Sequence, residues 1–143
     1  MVAVALAVVT VVSAWSYYRA AGPIRSLLST GTLRSTDQIV VGDIASQPTD
    51  SLTAHALTEV LRTTMSETRA IAVVSRSALD QSLRRMELPV TARLDGAVVR
   101  EIAERNGYKA VLTTELTPVG TSYVLSAHLT SQTGLELASV RTA

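Results

Sequence analysis

The stretch Asp95-Gly-Ala-Val-Val-Arg-Glu-Ile-Ala-Glu-Arg-Asn-Gly-Tyr-Lys-Ala-Val-Leu-Thr-Thr-Glu-Leu116 decides the fold. It reads as a capped amphipathic helix, a glycine stop and a central strand. Asp95 is a good N-cap, because its carboxylate can accept from the free N–H groups of the first turn. Val98 and Ile102, like Val99 and Ala103, recur at helical spacing and make one apolar stripe. Arg100, Glu101, Glu104 and Arg105 fill the opposite face, with Glu101 and Arg105 one turn apart. Asn106-Gly107 ends the helix, since glycine adopts the left-handed C′ conformation without a Cβ clash. Tyr108–Leu116 then reads as a strand. Its centre, Ala110-Val-Leu112, is apolar without alternation, the pattern of a strand buried on both faces.

Working outward, Gln38–Ala45 is a β-branched first strand, and Ser46–Asp50 is a loop holding Pro48. Asp50 or Ser51 caps a helix whose stripe is Leu52, Leu57, Val60, Leu61 and Met65. Ala70–Val74 is a short buried strand. Ser77-Ala-Leu-Asp80 opens the next helix as a capping box; Leu79, Leu83 and Met86 share one face and Pro89 stops it. Beyond Leu116, Pro118-Val-Gly-Thr121 and Gln132-Thr-Gly134 are turns between strands. Tyr123, Leu125, Ala127 and Leu129 alternate with Val124, Ser126, His128 and Thr130, and Leu135–Val140 starts a last strand. The order is β-α-β-α-α-β-β-β. The expected fold class is α+β, a two-layer α/β sandwich with helices on one face of a mixed sheet.

Val2–Tyr18 carries no charge and closes on Trp15, Tyr17, Tyr18 and Arg19. A run of this length just spans a hydrocarbon core, and aromatic residues followed by arginine suit the membrane–water boundary. Residues 1–18 are therefore expected to be a transmembrane helix with Trp15, Tyr17, Tyr18 and Arg19 at the interface. A cleaved signal peptide would want a basic leading region, and a buried soluble helix would want a polar face. Residues 19–36, with Gly22-Pro23 and Ser29-Thr-Gly-Thr32, read as a linker, in which Ile24, Leu27 and Leu28 suit a short interfacial turn. Residues 37–143 are the expected domain. The chain is expected to be a fragment, cut before the span and inside the last strand pattern. Arg19, Arg25 and Arg34 follow the span, which by local charge alone places the domain in the cytoplasm.

The chemistry signals are sparse. The 143 residues carry 13 basic and 12 acidic side chains and no cysteine, so disulfides and thiolate metal sites are excluded. No basic run or aromatic platform points to nucleic acid. Nucleotide-loop, zinc-protease and serine-hydrolase motifs are missing, so no catalytic residue, cofactor or metal site is expected. His55 and His128 stand apart, Asp37, Asp43 and Asp50 suit turns and caps, and Glu115 is expected to face outward.

Ile39-Val-Val-Gly-Asp-Ile44, Leu52–Leu61, Ala72–Leu79, Ile102–Leu112, Val119–Leu125 and Thr133–Ala138 together resemble a domain of bacterial membrane-anchored signalling proteins. There it commonly follows a serine/threonine kinase domain and one membrane helix and often precedes tetratricopeptide repeats. The pattern is also similar to the amino-terminal domain of the Tol-system propeller protein and to curli-secretion-type lipoprotein domains. The resemblance implies a non-catalytic sensing or docking module outside the cytoplasmic membrane, single-pass, binding protein partners through the sheet edge or a helix face. An envelope assembly protein is the alternative.

Overall fold

The computed structural model describes residues 23–67 and 71–142. The expected transmembrane run and its interface residues Trp15, Tyr17, Tyr18 and Arg19 lie outside the described residues. In chain order the elements are α1 (Pro23–Ser29), β1 (Gln38–Val41), a 3-10 turn (Pro48–Asp50), α2 (Ser51–Glu67), β2 (Ala72–Val73), α3 (Arg76–Arg85), α4 (Gly96–Asn106), β3 (Ala110–Val119), β4 (Ser122–Ser131) and β5 (Glu136–Thr142). From β1 onward this is the order the sequence predicts. The strands form one mixed sheet ordered β2-β1-β3-β4-β5. β1 is parallel to both β2 and β3, and β3-β4-β5 is an antiparallel meander.

The α4–β3 unit behaves as its residues dictate. Asp95 Oδ1 accepts from the N–H groups of Ala97 and Val98, each at 3.0 Å. Gly107 takes φ 70°, and the Tyr108 N–H closes on the Ala103 carbonyl at 2.9 Å, the Schellman bond that satisfies an orphan C-terminal acceptor. α3 ends by the same geometry, with the Leu88 N–H on the Leu83 carbonyl at 2.9 Å, but there the left-handed residue is Glu87, at φ 60°. The stop is thus set two residues before Pro89. The cap of α3 is Ser75, which accepts from the Ala78 N–H, while Asp80 pairs with Arg76 at 3.0 Å. The capping box expected at Ser77 is therefore replaced by a simple Ser75 N-cap two residues earlier, whose N3 residue, Ala78, has no side chain to return the bond.

The helices divide between the two faces of the sheet, where all were expected on one. Ile39, Val41, Ala110 and Leu112 pack with Leu61 and Met65 of α2 on one side. Val40 and Val111 pack with Leu79 and Leu83 of α3 and Val99 and Ile102 of α4 on the other. The cause is the unalternated apolar run of β1 and β3: a strand with apolar side chains up and down must be covered twice. Each fully buried aliphatic side chain here contributes about 1.5–3 kcal/mol through area removed from water.

β2, expected as a buried strand over Ala70–Val74, is a two-residue edge strand. Ile71 and Val74, on either side of it, are the buried residues, one in each cluster. Leu52, expected on the α2 stripe, is 86% exposed, and Ala54 and Thr58 take the buried face instead. Ser51 and Leu52, the first two residues of the helix, are both exposed. β3 continues through Pro118 to Val119, so the hairpin turn is Gly120-Thr121, with Val119 opposite Ser122.

The stretch expected as a linker contains α1 and a core residue. Leu33 is 2% exposed, and Leu27 and Leu28 of α1 pack against the same cluster as Leu137 and Ala138 of β5. Among the described residues no helix is long and apolar enough to cross a membrane.

Candidate functional site

β1 and β2 are parallel neighbours, but the chain leaves them toward opposite faces, from β1 to α2 and from β2 to α3. Side chains cannot fill the space where two such connections part, so a crevice opens at the carboxyl ends of the strands. A groove of about 430 Å³ lies there. Its walls are Asp43 and Ile44 after β1, the first turns of α2, Arg76 at the start of α3, and the loop of residues 90–93.

The floor is held by Asp43. Its N–H donates to the Leu94 carbonyl and its Oδ2 accepts from the Leu94 N–H, both at 2.9 Å. Gly42 is required beside it, because a Cβ there would stand 3.0 Å from the Leu94 carbonyl oxygen and 3.4 Å from that of Leu112. Arg62, 7% exposed, reaches Asp43 at 3.4 Å, the Val41 carbonyl at 3.2 Å and Glu59 at 2.8 Å. A buried guanidinium is costly unless it is paired and hydrogen-bonded; here two carboxylates and a carbonyl take Nη1 and Nη2, while Nε stays buried without a partner among the described residues. Thr58 Oγ1 accepts from the Ile44 N–H at 2.9 Å and donates to the Ala54 carbonyl at 2.8 Å, tying the strand exit to α2.

The loop wall is fixed by two further arginines. Arg76 Nη2 donates to the Val90 carbonyl at 2.8 Å, and Arg93 Nη2 to the Ile44 carbonyl at 3.2 Å. Neither Arg62, Arg76 nor Arg93 stands out in the sequence, because scattered charge is the default of any surface. The one available signal is the spacing of Ala54, Thr58 and Arg62, which puts two polar side chains on the buried face of α2.

The residues weighed for chemistry are dispersed. His55 lies on the groove wall and makes no hydrogen bond among the described residues. His128 is on β4 and meets Glu136 of β5 at 3.0 Å. An ionised carboxylate only accepts, so Nδ1 carries the proton. Hydrogen bonds from His128 and then Ser139 hold the Glu136 carboxyl below its ordinary value. Asp37 accepts from the Arg34 N–H at 2.9 Å, and Asp50 accepts from the Tyr123 hydroxyl at 2.8 Å. That bond keeps the Tyr123 phenol protonated and raises its pKa. Glu115 is exposed, as expected. Among the described residues no three His, Asp or Glu side chains gather where they could hold a metal ion. The groove therefore offers fixed donors and shape; Ser51 and His55 both line it, one helical turn apart, without a hydrogen bond between them.

No protein-family model matches the chain, and no curated protein matches it by sequence. Solved structures share the fold. The LpoB C-terminal domain from Salmonella enterica superposes with TM-score 0.68 at 21% identity, over 83% of this chain and 90% of that one. The same domain from Escherichia coli gives 0.68 and 21%, over 82% and 89%. Lipoprotein GNA1162 from Neisseria meningitidis gives 0.50 and 19%, over 74% and 78%. The kinase-linked part of the resemblance has no counterpart in these three structures.

Proposed function

We propose that residues 23–142 form a non-catalytic protein-docking domain of the bacterial cell envelope, acting in assembly, with residues 2–18 as its membrane anchor and the domain outside the cytoplasm. The observation that carries this is the fold shared with the LpoB C-terminal domain over most of both chains, and with a Neisseria lipoprotein. A groove built from fixed arginines and main-chain hydrogen bonds, in which Ser51 and His55 share no hydrogen bond, supports binding over chemistry. The kinase-linked sensing role gives way to this reading, which the shared fold supports better.

The test has two parts. Alkaline phosphatase fused after Ala143 is expected to be active in intact cells, and green fluorescent protein at the same position dark. The opposite pair places the domain in the cytoplasm. Membranes washed at alkaline pH are expected to retain the full-length chain. Release, or a product shortened near Ala14, removes the anchor from the proposal.

A further inference from the structure

We infer that the free edge of β5 pairs with β5 of a second copy of this chain, antiparallel and about a two-fold axis at Ser139. The inference stands apart from the docking reading, which concerns a different protein.

The sheet has two edges. β2 offers two residues and β5 seven, Glu136-Leu-Ala-Ser-Val-Arg-Thr142, with no proline or lysine to discourage pairing. Which main-chain groups of β5 face outward follows from β4. The Ser131 N–H donates to the Leu135 carbonyl at 2.8 Å, so Ser131 bonds toward the β5 side. By the alternation of an antiparallel ladder, Leu129, Ala127 and Leu125 do the same, and their partners are Ala138, Val140 and Thr142. The N–H and C=O groups of Ser139 and Arg141 therefore point off the sheet.

The side chains along that edge are self-complementary. Glu136, Ser139 and Arg141 lie opposite Thr130, His128 and Ser126, which are evenly spaced two apart on β4. The register shift beside Thr130 takes up the extra residue of β5, and so moves Glu136 to the place that a regular strand would give Leu137. A carboxylate and a guanidinium thus flank Ser139 at equal distances on one face. A two-fold axis through Ser139 sets Glu136 against Arg141 of the second copy, and Arg141 against its Glu136. Both are exposed, and Arg141 has no hydrogen bond or ion pair among the described residues. Glu136 holds His128 by one oxygen, and a carboxylate has acceptor sites to spare. On the other face Ala138 meets Val140 of the second copy, a small side chain against a larger one. Leu27, Leu28 and Leu137, only partly buried in the single chain, lie on that face beside the axis. The same axis puts α1 of both copies on one face of the joined sheet, so two chains held in one membrane meet without inversion.

The chain has no cysteine, so one introduced thiol marks one place. Residues facing each other as a hydrogen-bonded antiparallel pair have Cα atoms about 5.5 Å apart, within the span of a disulfide. The full chain carrying Ser139→Cys is oxidised with diamide in intact bacterial cells. A reducible dimer is expected, about tenfold more abundant than from Thr121→Cys in the exposed β3–β4 turn.

Charge reversal then tests the register. With Ser139→Cys as parent, Glu136→Arg and Arg141→Glu each set like charges opposite at two points, and each is expected to lower the dimer about tenfold. Co-expressed with different tags, the two variants restore both ion pairs between them, and their mixed dimer is expected within about twofold of the parent. Should one of them fail to fold, the other co-expressed with the parent keeps one pair and is expected to fall between. Equal dimer from Ser139→Cys and Thr121→Cys overturns the inference, because collision explains both. So do single reversals that cross-link as well as the parent, or a mixture that cross-links no better than either variant alone. A disulfide to another protein, with none between copies, overturns it too and leaves an edge that takes a foreign strand.

Discussion

Two residues with one backbone geometry and opposite chemistry give the sharpest test of single positions. Gly107 and Glu87 both hold the left-handed turn that closes a helix, at φ 70° and 60°. No atom would meet a Cβ at Gly107 within 4 Å, so the cost of Gly107→Ala is conformational alone. About 1 kcal/mol of destabilisation is expected, and Glu87→Gly is expected to stabilise by a similar amount. Denaturant melts of the two variants should move in opposite directions; movement in the same direction would refute the shared geometry. Thr58 is the second position. Thr58→Val keeps the shape but removes the acceptor of the buried Ile44 N–H. A loss of about 1–3 kcal/mol is expected, the cost of leaving a buried donor unpaired. A valine variant as stable as wild type would mean that water reaches Ile44.

At the scale of elements, α1 with the turn after it is the part that sequence patterning concealed. Leu33→Ala is expected to cost about 2–4 kcal/mol, because the core around it cannot fully collapse. A chain begun at Asp37 should melt below one begun at Pro23, as Leu137 and Ala138 would then lose their cover. Equal melting temperatures would show α1 to be dispensable. The β4–β5 hairpin carries a pH dependence. The hydrogen bonds to Glu136 lower its pKa in the folded state, so their stabilisation is complete above the ordinary carboxylate value. It is lost as pH falls through the lowered value. Glu136→Gln should therefore flatten the acid limb of the stability profile and leave the neutral region almost level. An unchanged acid limb would remove Glu136 from the account.

On the scale of the whole molecule, β3 is the member to which the rest attaches. It pairs along its full length with β4 and holds β1 on its other edge. Native-state hydrogen exchange is expected to be slowest in β3 and in the β4 residues facing it. It should be fastest in β2, which meets β1 over two residues at the sheet edge. Slow exchange in β2 would invert this order. The α4–β3 unit, the strand order of the meander and the mixed sheet are legible in the sequence, because caps, glycine stops and apolar runs are local signals. The two-sided coverage was legible as well, in the unalternated run Ala110–Leu112, although the economical two-layer arrangement overrides it on paper. Arg62, Arg76 and Arg93 were not legible. Each acts through a main-chain carbonyl far along the chain, Val41, Val90 and Ile44 respectively. No spacing rule reports such a pairing.

The groove lies where β1 ends, and the chain enters β1 from the opposite pole. A load taken at the groove and resisted from residues before Gln38 therefore runs along the strand axis. β1 is held on both edges by parallel neighbours, through two registered pairs with β2 and three with β3. Such a load shears these bonds together instead of peeling them one at a time, so the four residues Gln38–Val41 act as a tie rod. A pull across the β4–β5 hairpin would meet an open zipper. The molecule is mechanically anisotropic, and its stiff direction is the line from its N-terminal entry to its groove.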